Sequence, residues 1–293
     1  MSTAKYDLTG KVVVITGANS GIGKAAAVQL AETGAYVVMA CRSLERGAIA
    51  LDEVISRSGS ESVELLQVDM SSQESIQEFV KAFLHRHQHL DVLIHNAANF
   101  DLTRKAPVLT AEGVETIFAT NHVGVFLLTS LLLDVLKDSS PSRVITVASK
   151  GLVVYPNLDI ELDNLNGERD FSPQHAYYHS KLAQVMYTYD LAERLADTGV
   201  TVNCVRVGNV ALADDRLGNI PGFLKKLYAL KKKMALSPER MARTYLYLAA
   251  DPALEDVSGG YWDENNRQVK SNANSYRRET WERLWEATEE LIA

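Results

Sequence analysis

Cysteine is nearly absent from this chain: its 293 residues include two, Cys41 and Cys204. Two cysteines cannot make a disulfide framework. Each lies in an apolar run that predicts a strand, so a buried, reduced thiol is expected at both positions, and with it a reducing, cytoplasmic setting. Long hydrophobic runs are absent too. No stretch reaches roughly 18 uninterrupted apolar residues, and no membrane span is predicted. Met1 to Gly10 has neither the basic start nor the apolar core of a secretory signal. Positive charge is in deficit: the net charge of -7 disfavours non-specific binding to nucleic acid. There is no Gly-, Ser- or Pro-rich linker, no low-complexity run and no long-period repeat. A single domain over 1–293 is the simplest organisation, because the length permits one large α/β unit.

What the chain does have is alternation. Lys11–Thr16 (KVVVIT) is a short, continuous, valine-rich run suited to a strand covered on both faces, as in a parallel sheet. Gly21–Thr33 follows as a helix, Ala35–Ala40 as strand two, Leu44–Arg57 as a helix and Ser62–Val68 as strand three. Ser72 begins the next helix. Asp91–His95 and Arg143–Ala148 predict strands four and five, and a long helical stretch, Ser172–Thr198, precedes strand six at Val200–Val207. Strand–helix alternation with right-handed crossovers predicts an α/β fold, a doubly wound Rossmann-type parallel sheet with helices on both faces.

The turn between strand one and the first helix is T-G-A-N-S-G-I-G, Thr16 to Gly23. Gly17 permits the turn, Gly21 lets backbone approach a phosphate, and Gly23 allows close packing of helix and strand. The helix N-terminus then offers free N–H groups to an anion. A glycine triplet in this position predicts a site for the pyrophosphate of a nicotinamide dinucleotide. Strand two ends in Ala40-Cys41-Arg42-Ser43. An NAD-specific site wants a carboxylate there for the ribose 2′-OH; Arg42 offers instead a guanidinium suited to a 2′-phosphate, so NADP(H) is expected.

Tyr177 and Lys181 stand four apart in a helical stretch and share a face. A nearby ammonium and a cationic nicotinamide both favour phenolate, which predicts an acid/base tyrosine. Tyr178 has Leu182 four residues on and cannot make the same pair. Ser149 ends strand five and could orient a substrate oxygen beside Tyr177. Asn121, in ATNHVG, could hold a water linking Lys181 to solvent.

With TGANSGIG, Asp69 in QVDMSS, Asn96-Ala97-Ala98, Asn121, Ser149, and Tyr177 with Lys181, the chain resembles the short-chain dehydrogenase/reductase superfamily over nearly its whole length. MACRSLERG, AYYHSKLAQVMYTYDLAERL, TGVTVN and the insertion DIELDNLNGERDF resemble its retinol dehydrogenase-like and WW-domain oxidoreductase-like branch, which is largely NADP(H)-dependent. The resemblance implies that Tyr177 is the acid/base, that Lys181 binds the nicotinamide ribose and lowers the tyrosine pKa, that Ser149 positions the carbonyl, and that Asn121 supports a proton relay. It implies cofactor contacts from Gly17, Asn19, Ser20, Gly21, Ile22 and Gly23, from Arg42 and Ser43, and from Asp69 with Met70 at the adenine. Asn96, Ala97 and Ala98 would follow along the adenosine side, then Tyr177, Lys181, Gly208 and Val210. The expected activity is hydride transfer between NADP(H) and a carbonyl or alcohol of a small lipophilic substrate. Enone reduction and a non-catalytic NADP-binding regulator are the alternatives. A homodimer through the helices after Asn121 and around Tyr177 is possible, with the insertion able to obstruct it.

The sequence departs from the family pattern at Ala98, at Val207-Gly208, at Arg206, and at Asn209-Val210-Ala211-Leu212, which lacks the carboxamide-binding threonine. Membrane-bound members carry an N-terminal apolar anchor, and none is expected from Met1 to Gly10. A substrate lid is expected near 211–236, with the basic amphipathic Phe223–Met234 over the pocket rather than on a membrane, and Asp214 and Asp215 as caps or solvent-exposed residues. His85 and His89 would share a helical face, but no carboxylate or cysteine completes a set around His85, His87 and His89. A solvated surface and no metal are expected. Trp281 and Trp285 share a face and are expected in the core.

Overall fold

The computed structural model describes residues 6–101, 103–208 and 235–293. The apolar runs become strands, largely buried on both faces except for the edge strand β3: β1 (Val12–Thr16), β2 (Tyr36–Cys41), β3 (Val63–Gln67), β4 (Val92–His95), β5 (Ser142–Ser149) and β6 (Val200–Val207). Together with β7 (Gly260–Trp262) they form a parallel seven-stranded sheet in the order β3-β2-β1-β4-β5-β6-β7. The seventh strand, β7 (Gly260–Trp262), is not expected from the sequence, since three residues carry no period to read. Asn203 fixes it: its Oδ1 accepts from the Gly260 N–H at 3.0 Å and from the Trp262 indole N–H at 3.1 Å.

One face of the sheet packs on α1 (Gly21–Ala31), α2 (Leu44–Ser58) and α8 (Pro238–Ala250). The other packs on α3 (Gln73–Arg86), α5 (Gly124–Leu131) and α7 (Pro173–Arg194). Two short helices, α4 (Thr116–Phe118) and α6 (Leu133–Asp138), flank α5. The helix starts follow elementary capping: the hydroxyls of Ser43, Ser72, Ser172 and Ser237 each accept a first-turn N–H, and Pro173 and Pro238 stand where no intrahelical N–H is needed. The chain builds outward from β1 to β3, then returns to place β4 on the other side of β1. That reversal opens a crevice beyond the carboxyl ends of β1 and β4, the position at which such sheets bind ligands.

α9 (Arg278–Ile292) lies against α5 and α7. The Trp285 ring meets Phe126 edge-on at 4.6 Å and stacks on Tyr187 at 5.9 Å, while Trp281 faces Tyr189 at 5.7 Å. The Arg194 guanidinium covers Trp285 at 3.9 Å. This C-terminal helix thus packs on the two helices named above as a possible homodimer surface. Cys41 and Cys204 are free and buried, as expected. Among the described residues, no helix is long and apolar enough to cross a membrane. α3 ends at Arg86, so His85 and His89 do not share a helical face. His87 packs between Tyr36 and Phe83 and pairs with Glu64.

Candidate active site

The loop after β1 is shaped by its glycines. Gly17 has φ +67°, and a Cβ there would lie 2.9 Å from the Ala97 backbone. Gly21 has φ +56° and faces open space. A Cβ on Gly23 would collide with the Asn96 amide and with the Gly17 carbonyl, 2.6 Å away. The close packing expected of Gly23 is therefore against its own loop and the β4 end. Ser20 makes no side-chain cap and α1 has no acidic residue in its first turn, so its N-terminus keeps its positive end for an anion. This cradle fits a pyrophosphate. Asn19 and Ile22 flank it, half-buried.

At the end of β2, Arg42 is exposed, and among the described residues it makes no ion pair. Ser43 caps α2, accepting from the Arg46 N–H at 3.3 Å. Asp69 is half-buried, with Oδ1 accepting from the Ser71 N–H at 2.9 Å and hydroxyl at 2.7 Å. The Met70 side chain is buried in the core, so contact with an adenine falls to its backbone. Asn96 differs most from its expected place along the adenosine. Its Nδ2 donates to the Thr16 and Gly17 carbonyls at 2.9 and 3.2 Å, and its Oδ1 accepts from the Tyr245 hydroxyl at 3.2 Å. The side chain serves the loop. Ala97 donates its N–H to Thr16 Oγ1 at 3.0 Å, and Ala98 is exposed.

The catalytic candidates come together on β5, α7 and the turn before α5. Ser149 stands close enough to the Tyr177 phenol to act on its pKa, and its Oγ accepts from the Gly151 N–H at 3.1 Å. Lys181 Nζ lies 5.8 Å from the Tyr177 ring centre and donates to the Val147 carbonyl at 2.8 Å. Its ammonium is buried, which pulls its pKa down to about 8; the Cys204 thiol acts weakly the other way. Burial pushes the Tyr177 phenol above its ordinary value, Tyr178 adds to the rise, and Ser149 opposes it. In the cofactor-free protein desolvation is thus the leading influence on this phenol. Phe100, which the sequence reading missed, meets Tyr177 edge-on at 4.3 Å and is exposed beside it.

Asn121 sits in a π-helical turn, Ala119–Val123. Its Oδ1 accepts from the Asn99 N–H at 2.7 Å, while its Nδ2 donates to the Asn99 carbonyl at 3.1 Å and to Ser180 Oγ at 3.0 Å. One amide proton is spent on the loop after β4 and the other on α7. The water expected at Asn121 is left the second lone pair of Oδ1.

A family model described as short chain dehydrogenase matches residues 11–158. Human retinol dehydrogenase 11 is 38% identical over 291 residues, covering 99% of this chain and 88% of that protein. The chain belongs to the short chain dehydrogenase family. Within the family it falls in the retinol dehydrogenase-like branch, and it is an oxidoreductase of that family. A crystal structure of a protein from Mycobacterium paratuberculosis superposes with a TM-score of 0.75 at 27% identity, covering 100% of this chain and 97% of that one. A short chain dehydrogenase from Shigella flexneri, complexed with NADP, shares the fold with a TM-score of 0.67 at 20% identity, covering 88% of this chain and 98% of that one.

In this short chain dehydrogenase the family's departures cluster at the end of β6. Arg206 is half-buried, and its nearest carboxylate is Asp263 at 3.9 Å. Lys150, next to Ser149, pairs with Glu264 at 2.5 Å. A Cβ on Gly208 would meet Leu236 at 3.5 Å, an ordinary contact. Val210, Asp214, Asp215, the 223–234 segment and all but the last two residues of the 211–236 lid lie outside the described residues. The insertion is tied to the C-terminal segment: Asn272 and Asn274 donate to the Tyr155 and Leu158 carbonyls, and Arg277 pairs with Asp159 at 2.6 Å. A small cleft under the insertion, lined by Phe118, Glu161, Phe171, His175 and His179, faces the side of α7 opposite Tyr177.

Proposed function

We propose that this short chain dehydrogenase is NADP(H)-dependent and interconverts a carbonyl and an alcohol on a small lipophilic substrate. The observation that carries this reading is the convergence of Ser149, Tyr177 and Lys181 at the mouth of the crevice. The glycine cradle and the α1 N-terminus would hold the pyrophosphate, Arg42 a 2′-phosphate, and Lys181 the nicotinamide ribose. When bound, the dinucleotide supplies or accepts the hydride. Ser149 orients the substrate oxygen, and Tyr177 passes it a proton. The Lys181 ammonium, with no carboxylate partner among the described residues, offsets the charge left on the phenolate. Exposed Phe100, Val153 and Val154 support an apolar substrate. So does the name of the retinol dehydrogenase relative. The NADP complex of the Shigella flexneri neighbour favours the choice of dinucleotide. A cytoplasmic setting belongs to the same proposal.

The test is NADPH oxidation against a panel of aldehydes, ketones and enones, with NADH in parallel. Reduction of aldehydes or ketones with NADPH preferred is expected. Tyr177→Phe should lower kcat by roughly 10²- to 10⁴-fold with NADPH binding retained. Arg42→Ala should lower kcat/KM for NADPH and leave NADH nearly unaffected. Turnover confined to enones, equal use of both dinucleotides, or full activity of the Tyr177 variant would each overturn its part of the reading.

A further inference from the structure

Tyr178 follows the acid/base candidate in the chain, yet its ring leaves α7 in another direction. It lies on Gly151: a Cβ built there would fall 2.4 Å from the Tyr178 hydroxyl oxygen and 2.5 Å from Cε1. Gly151 has no positive φ, so the glycine is there for space and not for backbone freedom. The ring also packs on Tyr155 at 4.6 Å and meets Tyr177 edge-on at 5.3 Å. Tyr155 is held in turn, its hydroxyl paired with Gln174 and its carbonyl accepting from Asn272 at 2.8 Å. The 3-10 turn Lys150–Val154 hangs directly from Ser149, whose Oγ accepts from the Gly151 N–H.

We propose that Tyr178 is a positioning residue, a spacer whose ring fixes the distance between Ser149 and Tyr177. One of its neighbours is Tyr177 itself, and its face bears on the turn that orients Ser149. The Lys150–Glu264 pair draws the same turn toward β7, so Tyr178 supplies the opposing stop. The ring performs this task and the hydroxyl does not. The proposal rests on the reading of Ser149 and Tyr177 as the reacting pair.

Four proteins test it: wild type, Tyr178→Ala, Tyr178→Phe and Gly151→Ala. Amide hydrogen exchange over 150–154 is measured on the cofactor-free proteins, and kcat and NADPH affinity on the loaded ones. Tyr178→Ala should speed exchange across the turn and lower kcat on the order of 10- to 100-fold at unchanged NADPH affinity. Tyr178→Phe should restore both. Gly151→Ala, which must push the ring aside, should reproduce the loss, and it keeps the test open if Tyr178→Ala does not fold. Wild-type exchange and kcat in Tyr178→Ala, or a kcat loss without faster exchange, would overturn the proposal. If wild type reduces no carbonyl, the functional reading fails, while the exchange comparison still reports on the spacer.

Discussion

The hydroxyl of fully buried Tyr245, on α8, donates to Oδ1 of Asn96 at 3.2 Å, and Asn96 passes the contact on to the Thr16 and Gly17 carbonyls. A helix from one side of the sheet thereby steadies the dinucleotide loop. Tyr245→Phe leaves Asn96 Oδ1 short of a donor at a cost of about 1–3 kcal/mol. NADPH affinity by titration should fall roughly tenfold, with kcat at saturating NADPH unchanged.

Lys181 carries a stability signature of its own. Burial lowers its pKa from 10.5 to about 8. Below pH 8 folded and unfolded chains both hold the proton, and the cost of the buried ammonium is felt in full. As pH rises through 8 the folded protein sheds the proton and the unfolded chain does not, so this cost is relieved. Lys181→Met should raise the Tm at pH 7 by several degrees, a gain that shrinks above pH 8, while abolishing activity. Thermal melts across this range check it.

Acid should act through two buried histidines. His95 and His122 are held neutral by burial, each with its pKa lowered from 6.5 to about 3. Thr129 and Thr288 give their hydroxyl protons to backbone carbonyls and so accept from the two Nε2 atoms, at 2.8 and 2.9 Å, and each Nδ1 has no partner among the described residues. Between pH 6.5 and about 3 the unfolded chain binds protons that the folded chain refuses, so stability falls with pH over this window. His122→Gln should flatten that slope by the share of one proton in urea melts.

The cover of α9 over α5 and α7 predicts a monomer. Light scattering on the whole protein should give the 32.3 kDa mass of one chain. Trp281→Ala, which removes a nearly buried indole and its bond to the Ser275 carbonyl at 2.7 Å, should cost about 3–5 kcal/mol. A dimer in the wild-type protein would place its interface elsewhere.

How much of this was legible beforehand differs from residue to residue. Strands β1 to β6 were legible because buried parallel strands are written as unbroken apolar runs. Tyr177 with Lys181 was legible because four residues is a helical repeat. The duty of Asn96 was not, since two carbonyls that need donors lie 79 and 80 residues before it. Tyr178 resting on Gly151 is of the same kind. No local period encodes a contact between the end of a strand and the second turn of a helix far along the chain. The burial that raises the Tyr177 pKa was not legible either: proximity of a cation can be read from spacing, and desolvation cannot.

The wide turn at Ala119–Val123 has a consequence for how this protein can change. A π turn is one residue richer than the α-helical turn it replaces. Deleting one of those residues would let the helix close to a regular turn and would redirect the side chains left within it. Asn121 would then lose Asn99 and Ser180 together. Pressure toward a more regular helix and pressure to keep the Asn99 loop in place therefore oppose each other at this one turn. The surplus residue is the mark of which has prevailed.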